Sequence, residues 1–146
     1  MLRAIAAVIC TTSLISCTTL TSNYQKPVDL IFQSKTTEKN QMILVSRDQK
    51  LCAEDTLEKQ DCPINFYIDD YKSGQFYINN QAKYYLQPAT YTLKVKNCTT
   101  ECSTHAINID LSNGGQNRSF VISVDENAKP FITQPEIQNE LSAEAK

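Results

Sequence analysis

Apolar and polar residues alternate along much of this chain with the period of two that a half-buried β-strand requires. Ile64, Phe66 and Ile68 fall on one side of a run whose other side is Asn65, Tyr67 and Asp69. Tyr91, Leu93 and Val95 alternate with Thr90, Thr92, Lys94 and Lys96 in the cleanest run of all, which stops at Cys98. Ile107, Ile109 and Leu111 repeat the pattern after His105, and Phe120, Ile122 and Val124 repeat it again. Shorter runs are Val28-Leu30-Phe32, the Met42 to Val45 set, Gln75 to Asn79, Tyr84 to Leu86 and an edge at Phe131 to Thr133. Turn residues divide them: Thr-Glu-Lys-Asn before Met42, a polar turn containing Gly74, Asn79-Asn80-Gln81, and Pro88. Asn113-Gly114-Gly115 tolerates positive φ and predicts a hairpin between the last two long runs. Only Ala53 to Lys59 reads as a helical turn or two. The pattern predicts an all-β fold, an antiparallel β-sandwich or small barrel of about seven to nine short strands.

A different segment precedes this pattern. Met1 and Arg3 open the chain, Ala4 to Ile15 are mostly apolar, and small Ser16 stands before Cys17. A retained membrane helix needs roughly 20 apolar residues, more than this run supplies. Its end, Leu14-Ile15-Ser16-Cys17, resembles the bacterial lipoprotein signal, with leucine three before cysteine and a small residue immediately before it. The resemblance implies that Cys17 becomes the mature N-terminus, with diacylation of its sulfur and acylation of its amine, which makes anchoring effectively permanent. Thr18 stands where enterobacterial members retained at the inner membrane carry aspartate. The resemblance therefore implies the outer membrane, facing the periplasm, with the cell surface as the other address. On this reading residues 1–16 are a signal peptide, 17–26 a lipidated tether, 27–133 a single β domain and 134–146 an acidic tail. Ile137 and Leu141, one helical turn apart, make that tail flexible or marginally helical.

Cleavage removes Arg3, which takes the 14 Lys and Arg to 13 against 16 Asp and Glu, a formal charge of −3. By net charge the chain attracts neither nucleic acid nor an anionic membrane surface. Cys10 leaves with the leader and Cys17 takes lipid, so Cys52, Cys62, Cys98 and Cys102 remain. An even count in an exported chain predicts two disulfides. Of the three pairings, Cys52–Cys62 and Cys98–Cys102 are favoured, because each pair brackets a polar segment between strand-like runs. Loops of this size are worth roughly 2–3 kcal/mol each in the chain-entropy picture. The competing expectation is a zinc site built from these thiols and His105, against which stand the lack of a C-x-x-C pair and an oxidising compartment. The expectation is therefore no metal, and no cofactor beyond the lipid on Cys17.

The catalytic inventory is thin. His105 is the only imidazole and reads as a partly exposed structural histidine. Asp69 and Asp70 are adjacent, so on a strand they point to opposite faces, and turn capping suits them better than shared acid–base work. Glu54-Asp55 and Asp125-Glu126 read as solvated loop charges. Neither an enzyme nor a small-molecule site is expected. Seven tyrosines against no tryptophan carry more weight, because Tyr67, Tyr71, Tyr77, Tyr84, Tyr85 and Tyr91 crowd between positions 67 and 91. Several fall on opposite faces of their strands, so not all are core. Those left outside either form a partner-binding surface or simply cover a sheet edge.

Two resemblances arise in the same region. Phe66-Tyr67-Ile68-Asp69, followed by a glycine turn and by Leu86-Gln87-Pro88-Ala89-Thr90-Tyr91-Thr92-Leu93-Lys94-Val95, is similar to small periplasmic β modules of the PEGA and DUF2846-like kind. Ala89 occupies that pattern's glycine position, and the resemblance implies a noncatalytic β-sandwich. Ser73-Gly74-Gln75-Phe76-Tyr77 resembles the S-G-x-x-Y motif of bacterial lipoprotein inhibitors of c-type lysozyme, which implies Ser73 and Tyr77 at the contact with the lysozyme cleft. The second motif of those inhibitors is absent, since no Lys-Gly occurs. The leading expectation is an outer-membrane lipoprotein whose periplasmic β domain binds another envelope protein, as part of a secretion, conjugation or envelope-assembly complex. The alternative is the lysozyme inhibitor. Tyr67, Tyr71 and Tyr85, with Ser73 and Tyr77, are the candidate contact residues.

Overall fold

The alternating runs become eight strands, and no helix occurs among the described residues. A computed structural model describes residues 24–98, 101–113 and 118–135. The leader, Cys17 and the tail beyond Pro135 lie outside them. The strands are β1 (Gln41–Arg47), β2 (Ile64–Ile68), β3 (Tyr71–Phe76), β4 (Gln81–Leu86), β5 (Thr90–Cys98), β6 (Cys102–Asp110), β7 (Ser119–Val124) and β8 (Pro130–Thr133). They form two four-stranded sheets, ordered β4-β1-β7-β8 and β3-β2-β5-β6. Every pairing is antiparallel except β1 with β7. Burying one face of each sheet against the other gives a β-sandwich. Ile43, Val45, Ile64, Phe66, Ile68, Leu93, Val95, Phe120, Ile122, Val124 and Ile132 are its buried core. Phe66 sits at the centre, edge-on to Phe76 at 6.0 Å and tilted against Tyr84 at 5.2 Å.

Gly74 is not a turn residue. The β2–β3 hairpin closes at Asp69-Asp70 instead, where Asp69 takes the left-handed conformation (φ 54°). Aspartate tolerates that region better than most residues, and here its amide donates to the Thr92 carbonyl at 2.8 Å. The returning strand therefore starts at Tyr71 rather than Gln75, and ends at Phe76. Register shifts within it: Phe66 faces Gly74 and Tyr67 faces Lys72, which leaves Ser73 as the extra residue of a β-bulge. Gly74 is buried where three side chains converge. A Cβ there would stand 2.8 Å from the Tyr84 hydroxyl and 2.9 Å from Leu30 Cδ2 and Phe76 Cε2.

Three other expectations change. Val28 to Phe32 forms a strap rather than a strand, because Asp29 (φ 57°) and Phe32 (φ 58°) break the extended backbone. The strap closes the seam between β3 and β4. Val28 exchanges two backbone hydrogen bonds with Gln75 (3.2 and 2.9 Å), and the Phe32 carbonyl accepts from the Tyr85 amide at 2.8 Å. Leu30 and Phe32 pack against the core from this side. Ala53 to Lys59 contains no helix; the Asp55 amide donates to the Cys52 carbonyl at 3.0 Å, and the Asp55 carboxylate takes the amides of Asp61 (2.9 Å) and Cys62 (3.3 Å). β6 and β7 do not pair as a hairpin, for β6 lies beside β5 while β7 crosses to the other sheet. Gly114 and Gly115 of the expected turn lie outside the described residues.

Both favoured disulfides are present. Cys52–Cys62 ties the polar loop between β1 and β2 across 6.2 Å between Cα atoms, and Cys98–Cys102 joins the last register pair of β5 and β6 across 4.0 Å. His105 lies at the opposite seam from the strap, where its Nδ1 accepts the Ile132 amide at 3.3 Å and links β6 to β8.

Candidate partner-binding surface

β5 supplies the spine of the surface. Its odd positions Leu93, Val95 and Asn97 are buried, which turns Thr92, Lys94 and Lys96 to the outside of the sheet. Antiparallel pairing places Tyr67 of β2 opposite Lys94, and Asn65 opposite Lys96. On the other side β6 sets Asn108, Ala106 and Thr104 opposite Thr92, Lys94 and Lys96. The Lys94 ammonium stands 5.2 Å over the Tyr67 ring and 3.5 Å from the Asp70 carboxylate. The Thr92 hydroxyl and Asn108 side chain bond at 2.9 Å, and the Thr92 amide donates to Asp69 Oδ1 at 2.9 Å. The result is a sheet face of ammonium, phenol, amide and hydroxyl groups, with the Asp69 and Asp70 carboxylates beside Thr92 and Lys94. Lysine over tyrosine holds its charge at a fixed place on that face, a cation–π contact worth about 0.5–1 kcal/mol where exposed.

Of the candidate tyrosines only Tyr67 lies on this face. Tyr85 points outward from the other sheet, opposite Met42. Tyr71 is 65% exposed at the strap seam and meets Phe32 edge-on at 6.2 Å. Tyr77 lies half-buried in the turn after β3, where its hydroxyl accepts from Gln75 Nε2 at 3.1 Å. Ser73 is fully buried, with its hydroxyl on the Tyr71 carbonyl at 2.8 Å. The S-G-x-x-Y segment therefore runs from a β-bulge through the end of β3 into the following turn, and its buried serine presents nothing to a partner. Tyr84 is core; burial pushes its phenol far above the ordinary range, and its hydroxyl donates to the Ser73 carbonyl at 2.9 Å. Tyr91 is half-buried and donates to the Gln87 carbonyl at 3.2 Å, with burial again raising its phenol.

Lys94, Lys96, Thr92 and Asn108 were not singled out from sequence. The alternation of Thr90, Thr92, Lys94 and Lys96 was visible there, but register alone sets Tyr67 against Lys94.

A second polar group occupies one end of the sandwich. Arg47 is buried at the end of β1, donates to the Lys50 carbonyl and pairs with Asp48; burial lowers its guanidinium against the pull of Asp48 and Asp55. Cys52 Sγ, Cys62 Sγ and the Asp55 carboxylate lie within 4.8 Å of one another. The sulfurs are bonded to each other, so they have no thiolate to offer a metal. Asn97 Nδ2 donates to Cys62 Sγ at 2.8 Å and to the Ala128 carbonyl at 3.0 Å, while its Oδ1 is buried without a partner. Asp125 is likewise spent on structure: its carboxylate takes the amides of Asn127 (2.8 Å) and Lys129 (2.9 Å).

Comparison with known proteins finds no matching family model, no similar curated protein and no similar solved structure.

Proposed function

We propose that this chain is an outer-membrane lipoprotein, anchored through Cys17, whose β-sandwich is a noncatalytic binding module of an envelope complex facing the periplasm. The face built on Thr92, Lys94 and Lys96 is its contact surface. The observation that carries this reading is the Tyr67–Lys94 stack at 5.2 Å, beside Lys96 and flanked by amide and hydroxyl groups. An aromatic ring with a cation over it on the outer side of a sheet suits an acidic segment of a folded partner better than a small substrate, which needs concave burial. The two disulfides agree with export, since such bonds persist in oxidising compartments.

A photoreactive phenylalanine analogue at position 67, illuminated in intact envelopes, tests the surface. It should yield one discrete crosslinked product that disappears in a Lys94→Glu/Lys96→Glu background. The same analogue at position 85, on the other sheet, should not yield that product. An identical product from both positions, or one indifferent to charge reversal, defeats the proposal. The anchor is tested separately: Cys17→Ser should move the protein from the membrane to the soluble fraction with its fold intact.

A further inference from the structure

Six large apolar side chains stand exposed among the described residues; Val28 (44%), Ile31 (39%) and Tyr71 (65%) belong to the strap or to the strand start beside it, and Tyr24 (49%) lies just before the strap, next to Gln25, whose carbonyl accepts from Asn80 Nδ2 at 2.6 Å. They follow one edge of the molecule. The strap runs along β3, with Val28 on Gln75, the Asp29 carboxylate on Lys72 Nζ at 2.8 Å, and Phe32 against Tyr71. Its inner side carries Leu30 and Phe32 into the core, while Val28 and Ile31 remain outside. A strap meant to face water would be polar on that outer side. The charge there also departs from the rest of the chain. Lys39 Nζ lies 5.7 Å over the Phe32 ring, Lys72 pairs with Asp29, and Lys26 and Lys35 flank the strap in the chain, against Asp29 and Glu38, in a protein of formal charge −2.

We infer that this seam is a lipid-docking edge: Tyr24, Val28, Ile31 and Tyr71 rest in the headgroup–acyl boundary of a bilayer, and the surrounding lysines meet its phosphates. Tyrosine and lysine flanking branched aliphatic residues is the chemistry that suits such a boundary, the phenols and ammonium groups staying wet while the rest is buried. The inference deepens the anchor reading and rests on it for orientation. Tyr24 lies seven positions after Cys17, a span of at most about 25 Å even fully extended. An acylated Cys17 therefore keeps the strap end of the sandwich within about 25 Å of the membrane.

The chain has seven tyrosines and no tryptophan, so its own emission reports the contact. The cell-derived protein is placed on phosphatidylethanolamine–phosphatidylglycerol vesicles with and without bromine on the acyl chains. Two of the seven tyrosines lie on the edge, so brominated lipid should quench emission by roughly a quarter. Tyr24→Phe/Tyr71→Phe should abolish that quenching, and Val28→Ser/Ile31→Ser should cut it by about half or more. Equal emission from both kinds of vesicle overturns the inference, as does quenching that survives the double tyrosine replacement. Should the serine variant lose its fold, amide exchange on the unaltered chain decides: Val28 to Phe32 must slow on vesicles, and unchanged rates overturn the docking. Intact mass separates the two readings. A chain without acyl groups whose Tyr24 and Tyr71 are still quenched by added vesicles retains the docking edge while defeating the anchor. A protein captured at this edge in the absence of quenching defeats the lipid assignment.

Discussion

Gly74→Ala distinguishes a glycine needed for close approach from one needed for a turn. In an ordinary strand the change stabilises, because alanine loses less backbone freedom on folding, by roughly 0.5–1 kcal/mol. Here the new methyl meets the Tyr84 hydroxyl at 2.8 Å and Leu30 Cδ2 and the Phe76 ring at 2.9 Å. Leu30 can withdraw with its half-buried strap. Tyr84 cannot do so easily, for its hydroxyl is held by the Ser73 carbonyl at 2.9 Å, and Phe76 is wedged edge-on against Phe66. Overpacking of this kind costs about 1–3 kcal/mol, so the crowding outweighs the entropy gain and the net expectation is a loss of about 1–2 kcal/mol. For a domain of this size that lowers Tm by roughly 3–10 °C. Urea unfolding of the oxidised protein, with Gly74→Ala compared against Gly74→Ala/Tyr84→Phe, is the assay. Removing the hydroxyl takes away the closest contact, so the two changes together should cost less than the sum of each alone. A neutral or stabilising Gly74→Ala refutes the packing argument.

Tyr84→Phe alone should cost about 1–2 kcal/mol in the same assay, because the Ser73 carbonyl loses its buried donor; no change would mean that another group satisfies it. Cys52→Ser/Cys62→Ser should lose about 3 kcal/mol and Cys98→Ser/Cys102→Ser about 2, following the longer and shorter loops of the chain-entropy picture, and the reverse order would point to native contacts instead. The first pair also strips Asn97 Nδ2 of its sulfur acceptor. Asp125 is held below the usual carboxylate range by the Lys129 amide above all, so its folded pKa lies under its unfolded one. Its contribution is therefore present above the unfolded aspartate range of about 4 and lost as pH falls through the folded value. Asp125→Asn should be less stable than the parent at pH 7 and indistinguishable from it in strong acid; a gap that persists in acid would contradict the linkage.

Strand identity was legible wherever one face of a strand is buried and the other wet, as at Ile64 to Ile68 and at Thr90 to Cys98, because burial on a pleated surface leaves a period of two in the residues themselves. The disulfide pairs were legible for a related reason: each closes a short polar loop, and short closures are local. Left-handed positions were not. Asp69, Asn79 and Ala128 take positive φ without being glycine, while Gly74 serves a packing need set by Leu30 and Tyr84, residues 44 positions before and 10 after it, respectively, at the β3–β4 seam.

The amino-acid sequence by itself determined the all-β class, the inward set of apolar residues and the cysteines to be joined, since each follows from local alternation or short loop closure. Tertiary structure alone decided that β7 leaves β6 for the opposite sheet, that Ser73 is a buried bulge residue, and that Tyr67 and Lys94 stack while Tyr85 faces the other way. It also decided that a strap with Val28 and Ile31 turned outward runs along β3. Those outcomes depend on register between segments far apart in the chain, and a shift of one residue in register would reverse every face without altering the alternation from which the strands were read.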